Sequence, residues 1–249
     1  MKLTSIAAVV ALTTAGFAST SAMAVEGLSA NVGATTNYLW RGVTQTDKDS
    51  KDSIVKISPA IQGGLDYAHD SGAYAGVWAS NVDFGSETNV EFDWYFGYAG
   101  EAGSVSYDVG YVEYVYLDGI SEADENRDFS EIYGSVSFKE VEGLTVGLAL
   151  LADSEWGAGF ADDKYLSADY EFALPTGGVK FLDDVSYAAH VGIYSIDGGG
   201  SYNDINVTAS KSNFTLGLSK ASKDGYDGFK LFLSYGMDFD LSDLSKKFK

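Results

Sequence analysis

Cysteine is absent from this chain, so neither a disulfide scaffold nor a thiolate metal site is available to it. Passage through an oxidising compartment would leave it chemically unchanged, and closure of the fold must come from backbone hydrogen bonding. Basic residues are scarce: 16 Lys and Arg stand against 36 Asp and Glu. Nucleic acid is excluded as a partner, because phosphate binding needs a basic footprint. Also missing, beyond the first segment, is any apolar run approaching the roughly 20 residues that a transmembrane helix needs. High acidity can accompany disorder, but 14% aromatic content and a sustained hydrophobic period argue for a folded chain.

The first segment reads as processing information. Lys2 supplies a positive n-region, Ile6 to Phe17 an apolar h-region, and Ala22-Met23-Ala24 a cleavage site. The sequence therefore divides into a signal peptide over residues 1–24 and one β domain over residues 25–249.

From Val25 onward the dominant signal is alternation at period two, which sends successive side chains to opposite faces of a sheet. On the first strand Ala30, Val32, Ala34, Tyr38 and Trp40 share one face, while Asn31, Gly33, Thr35, Asn37 and Arg41 share the other. The second opposes Ile57, Ile61, Leu65 and Tyr67 to Ser58, Gln62, Gly64 and Asp66. Phe214, Leu216 and Leu218 against Thr215, Gly217 and Ser219 is the cleanest case, and the stretch from Tyr74 to Val82 the most ambiguous. A soluble sandwich alternates too. Here, however, aromatics gather near strand ends, as girdles at bilayer interfaces require, and small residues occupy the polar face.

Connection lengths supply an orientation. Long polar connections run from Gly42 to Val55, Asp83 to Asn89, Leu117 to Arg127, Asp153 to Lys164, Asp197 to Ser201 and Ala221 to Gly228. Between them lie tight ones at His69 to Gly72, Gly100 to Gly103, Lys139 to Gly143 and Ser210 to Asn213. Pro175 to Asp184 is longer than its position on the periplasmic side predicts. The expected fold is all-β: a transmembrane antiparallel up-and-down barrel of about twelve strands, with both termini in the periplasm. The last strand ends at Phe239, leaving Leu241 to Lys249 as a tail, or else it runs on to Phe248.

Two stretches, SANVGATTNYLWRGVTQTD from Ser29 to Asp47 and PAIQGGLDYAHDSGAYAGVWASNVDFG from Pro59 to Gly85, resemble the amino-terminal half of the TorF porin family. Beyond about Leu117 the resemblance fades to a general pattern of strands and turns. It implies an outer-membrane barrel with porin activity, and it brings no catalytic residues.

In a barrel, inward charges are the functional candidates, since Lys or Arg on the lipid face costs roughly 2–4 kcal/mol at midplane. Arg41, Lys56 and Lys230 are expected at the outer ends of strands one, two and twelve, which become neighbours on closure. Glu91, Asp93, Asp108, Asp169 and Glu171 are expected inward on strands four, five and eight. A basic arc would then face an acidic wall across one lumen; the resemblance implies a passive channel for small hydrophilic solutes, and the excess of acids a weak cation preference. Alternatively these charges pair and plug the lumen.

No cofactor is implied, and the acidic runs Glu122, Asp124, Glu125, Asp128 and Asp47, Asp49, Asp52 lack the D-x-D-x-D-G spacing of a calcium loop. Expected partners are outer-membrane lipid, lipopolysaccharide and the solutes; a homo-oligomer is left open. Two rival classes remain. A lipid-modifying enzyme would use His69 and Ser71, yet these fall in a periplasmic turn and no G-x-S-x-G elbow occurs. His190, between Ala189 and Val191, reads as a polar lining residue. The other rival is a non-conducting structural or receptor barrel.

Overall fold

The computed structural model describes residues 27–47, 54–85, 88–117 and 127–241. Its strands are β1 (Leu28–Thr35), β2 (Leu39–Trp40), β3 (Val43–Thr44), β4 (Ala60–Ala68), β5 (Ala73–Asn81), β6 (Val90–Ala102), β7 (Val105–Leu117), β8 (Phe129–Phe138), β9 (Val141–Ser154), β10 (Lys164–Phe172), β11 (Ser186–Ser195), β12 (Tyr202–Lys211), β13 (Phe214–Ala221) and β14 (Lys230–Asp240). Twelve of them, β1 and β4 to β14, form one closed antiparallel barrel. Each pairs with its neighbours in sequence, and β1 seals against β14 from Ser29↔Asp240 to Thr35↔Ser234. Closure leaves no unpaired edge, the condition for a sheet to stand in lipid.

The two faces are inverted relative to a soluble protein. Val32, Ile61, Leu65, Leu148, Val191, Ile205, Val207, Leu216 and Leu233 are exposed on the outside, whereas Gln62, Glu91, Asp93, Asp108, Glu131, His190, Asp204, Lys230 and Ser234 are buried within. Each large aliphatic side chain moved from water into lipid gains about 1.5–3 kcal/mol, so this surface is stable only against an apolar medium.

Tyrosines supply much of the interior bulk, where the alternation led us to expect small residues. Tyr95 lies over Gly76, Tyr74 over Gly97, Tyr133 over Gly110 and Tyr165 over Gly192, each ring occupying the space a Cβ would need. These four glycines on the inner face are thus seats for rings on the adjacent strand. Outward aromatics form a girdle near the turn end, where Tyr98 stacks on Tyr107, Phe172 on Tyr187, and Phe214 packs on Tyr235.

The expected turns and loops fall on opposite ends of the barrel. The exceptional connection after Pro175 holds a single 3-10 turn, Lys180–Leu182, and Lys211 donates to the carbonyls of Phe181 and Asp183 at 2.7 and 2.5 Å. β14 ends at Asp240, one residue past Phe239, while Phe248 lies outside the described residues.

The first two strands need correction. β1 stops at Thr35 instead of running to Arg41. Thr35 Oγ1 donates to the carbonyl of Asn37 at 3.0 Å, and the chain leaves the wall. Tyr38 and Trp40, expected outside, lie inside. β4 starts at Ala60, not near Ile57, because Pro59 has no N–H to offer a ladder.

Candidate functional site

After Thr35 the chain folds into the barrel as a two-stranded hairpin, β2 with β3, pairing Leu39 with Thr44 and Trp40 with Val43. Its turn residues Arg41 and Gly42 have φ of 47° and 75°. Two successive positive φ values define the tight turn whose twist suits a two-residue hairpin, and Gly42 adopts its value without penalty. Arg-Gly is a weaker sequence signal than Asn-Gly, so an uninterrupted strand was the natural reading.

The root of the hairpin is held by Thr44 Oγ1 donating to Asn37 Oδ1 at 2.6 Å and Thr46 Oγ1 donating to the Ser58 carbonyl at 2.6 Å. Tyr38 donates to Glu91 on β6 at 2.6 Å and meets the Trp78 ring edge-on at 5.7 Å. Burial first, then the carboxylates of Glu91 and Asp93, hold the Tyr38 phenol well above its ordinary value.

The tip reaches the far wall. Trp40 packs edge-on against Tyr114, Phe129 and Tyr194. The Arg41 guanidinium lies 4.2 Å from the ring centres of Trp40 and Tyr165 and 4.6 Å from that of Tyr194. Its Nη2 donates to Glu131 Oε2 on β8 at 2.7 Å, both side chains 3% exposed. Burial works against the Arg41 charge, but Glu131 together with Tyr194 and Tyr114 more than offsets it and holds the guanidinium above its ordinary value. Nε and Nη1 have no hydrogen-bond partner. Gly42 passes so close to β12 and β13 that a Cβ there would stand 2.8 Å from Asp204 Cβ and 3.1 Å from Ala221 Cβ.

The inner face of β6 and β7 carries acids, at the hairpin and further along the wall. Glu91 and Asp93 on β6 and Asp108 on β7 are buried and face inward, and one oxygen of each, Glu91 Oε2, Asp93 Oδ1 and Asp108 Oδ2, lacks a partner. Tyrosine hydroxyls supply part of their solvation: Tyr74 donates to Asp108 at 2.5 Å and shares a hydrogen bond with Tyr133 at 2.7 Å. Asp66 on β4 accepts from Asn31 at 3.0 Å and from Tyr95.

A second network sits on β10 to β12. His190 Nδ1 is 2.7 Å from Asp169 Oδ1, and its Nε2 lies 3.0 Å from Asp204 Oδ1 and 2.8 Å from the Tyr165 hydroxyl. The Tyr165 hydroxyl donates to Asp204 Oδ2 at 3.0 Å, while its ring supports Arg41. The tip of the hairpin and the His190 cluster therefore share one tyrosine.

The eight sequence candidates are distributed as follows. Glu91, Asp93, Asp108 and Asp169 face inward in the networks just described. Glu171 follows Asp169 on the same face of β10 but is exposed near the turn end. Lys230 is buried at the start of β14. The basic arc does not form. Arg41 is carried by the hairpin from β1 to β8, β10 and β11, and Lys56 lies in the connection before β4, paired with Asp47 at the hairpin root. Glu131, Asp204, Tyr38 and Tyr165 were not singled out. Alternation could have found two of them: Glu131 precedes outward Ile132, and Asp204 lies two residues before Asn206 on the polar face.

His69 Nδ1 and Ser71 Oγ are 2.9 Å apart, exposed, and Ser71 N–H donates to the same nitrogen at 3.1 Å, so the pair closes the β4–β5 turn. Asp128 Oδ1 accepts from the Tyr116 N–H at 2.7 Å. Glu122, Asp124, Glu125, Asp49 and Asp52 lie outside the described residues.

Comparison with known proteins places this geometry among bacterial barrels. The family model described as "Bacterial protein of unknown function (Gcw_chp)" matches residues 19–232; its description carries no TorF name. No curated protein sequence matches. Among solved structures, the chain is similar to the KdgM porin at 10% identity and a TM-score of 0.51, over 85% of this chain and 98% of that one. It is also similar to the outer membrane protein OprD from Pseudomonas aeruginosa at 15% identity and a TM-score of 0.42, over 86% and 66%. At these identities the likeness is one of fold: a closed porin-type barrel.

Proposed function

This chain belongs to the Gcw_chp family of bacterial proteins, and we propose that it acts as an outer-membrane channel for passive diffusion of small hydrophilic solutes. The observation that carries the reading is the inversion of the barrel, with an exposed aliphatic and aromatic exterior around a charged and tyrosine-lined interior. Such a wall has lipid as its matching solvent outside and polar solute inside. Residues 1–24 act as an export signal, and residues 25–249 form the inserted domain, in contact with lipid and lipopolysaccharide. The porin half of the TorF resemblance fits this reading.

The interior favours cations. Arg41 is matched by Glu131, whereas Glu91, Asp93 and Asp108 each keep an unpartnered oxygen and have tyrosine or no hydroxyl as neighbour. Carboxylates lining a pore attract cations and repel anions. A non-conducting barrel is the second reading, favoured by one observation: the β2–β3 hairpin crosses the interior.

Planar-bilayer recording of the refolded protein separates the two. Ohmic steps whose reversal potential under a salt gradient lies on the cation side are expected. Absence of current from protein that shows heat-dependent gel mobility would support the non-conducting barrel.

A further inference from the structure

We propose that the β2–β3 hairpin is a displaceable plug, latched to the opposite wall by Arg41 on Glu131, and that its withdrawal opens the barrel to solute. The proposal rests on the channel reading above.

The hairpin belongs to the interior and not to the wall. β2 and β3 pair with each other alone, and all wall ladders are complete without them. Removing it from the lumen breaks no barrel pair. Its far contacts come from two adjacent side chains at the tip: Arg41, with one ion pair and the ring faces of Tyr165 and Tyr194, and Trp40, edge-on to Tyr114, Phe129 and Tyr194.

The inserted arrangement is also held against opposing costs. It buries two guanidinium donors, Arg41 Nε and Nη1, without acceptors, and beneath Tyr38 and its neighbours it leaves Glu91 Oε2 and Asp93 Oδ1 without donors. Buried polar atoms without partners are costly, and each of these four would regain water if the hairpin withdrew. Ring stacking and the Glu131 pair favour insertion; solvation of four polar atoms favours release. Opposing terms of this kind make a packed element two-state, with populations that small changes shift.

The absence of cysteine makes the test direct. Gly42→Cys with Ala221→Cys introduces the chain's only two thiols, at positions where Cβ atoms would stand 3.1 Å apart, so the tip must back off by a few tenths of an ångström to reach the roughly 3.5–4.5 Å that a disulfide spans. The reduced form of the same protein controls for the substitution at a positive φ. Single-channel currents are recorded with the staple oxidised and then reduced, with disulfide formation verified by thiol labelling. Glu131→Gln is recorded as a second variant, and a third replaces residues 39–44 with a two-residue Asn-Gly turn.

The expected result is a current lower by roughly tenfold when oxidised, restored on reduction, higher open probability in Glu131→Gln, and steady opening in the shortened variant. Equal currents from oxidised and reduced staple, with the shortened variant conducting, would overturn the plug and leave the channel standing. No current from any variant, the shortened one included, would overturn the channel reading and the plug with it.

Discussion

Arg41 and Glu131 are 90 residues apart in the chain and 2.7 Å apart inside the barrel. The pair ties a segment with no place in the wall to strand β8. A hydrogen bond to a charged group contributes about 1.5–3 kcal/mol, so replacing Glu131 by Gln should raise the population of released hairpin by roughly ten- to a hundredfold. Limited chymotrypsin digestion of the refolded protein reads this directly. Tyr38, Leu39 and Trp40 should be cleaved faster in Glu131→Gln than in the native protein, while wall strands stay intact.

The ring seats give a contrast between two glycines. A Cβ on Gly192 would lie 2.0 Å from the Tyr165 hydroxyl and 2.5 Å from Asp204 Oδ2. Gly192→Ala should destabilise the barrel by about 1–3 kcal/mol in denaturant unfolding from vesicles. Gly134→Ala, whose Cβ would meet nothing closer than 3.5 Å, should stay within about 0.5 kcal/mol of the native protein.

Outside the barrel the test is polarity. Val207 is exposed near the middle of β12. Val207→Arg should cost about 2–4 kcal/mol in a lipid bilayer. Insensitivity there would place that face in water, contrary to the membrane reading.

Ion preference should follow the acidic wall. Asp93→Asn and Asp108→Asn should each move the reversal potential toward zero, and the double substitution should move it further. An unchanged reversal potential would separate these carboxylates from the conduction path.

Alkaline pH bears on the hairpin root. Tyr38 holds its proton in the folded state well above the ordinary value of 10.0, so above that pH the folded protein binds more protons than the unfolded chain. The stabilisation is complete below pH about 10 and is lost as pH rises toward the folded value. The decline of stability above pH about 10 should therefore be shallower in Tyr38→Phe, measured as unfolding midpoints across a pH series.

Strand number, the exchange of long connections with tight turns, and the inward placement of Glu91, Asp93, Asp108 and Asp169 were legible in the sequence, because a wall with one apolar and one polar face imposes a strict period of two. The hairpin was not. Tyr38 and Trp40 continue the period of β1; what takes them off the wall is the departure of the chain between Thr35 and Asn37, and the positive φ values at Arg41 and Gly42 then turn it back on itself. Glu131 and Asp204 obeyed the period, yet their importance comes from what crosses the lumen to meet them. Cross-lumen partnership has no period along the chain. The basic arc failed for that reason: it placed Arg41 by its strand and not by its destination.

The seam between β1 and β14 has a bearing on assembly. Along the rest of the wall each strand meets its sequence neighbour, but Thr35 meets Ser234, 199 residues away. The entropy of loop closure rises with the length of chain enclosed, so this junction is the most demanding in the barrel. β1 is also the strand from whose end the hairpin departs. The segment that seals the wall delivers its filling, and the cylinder closes around contents supplied by its own first strand.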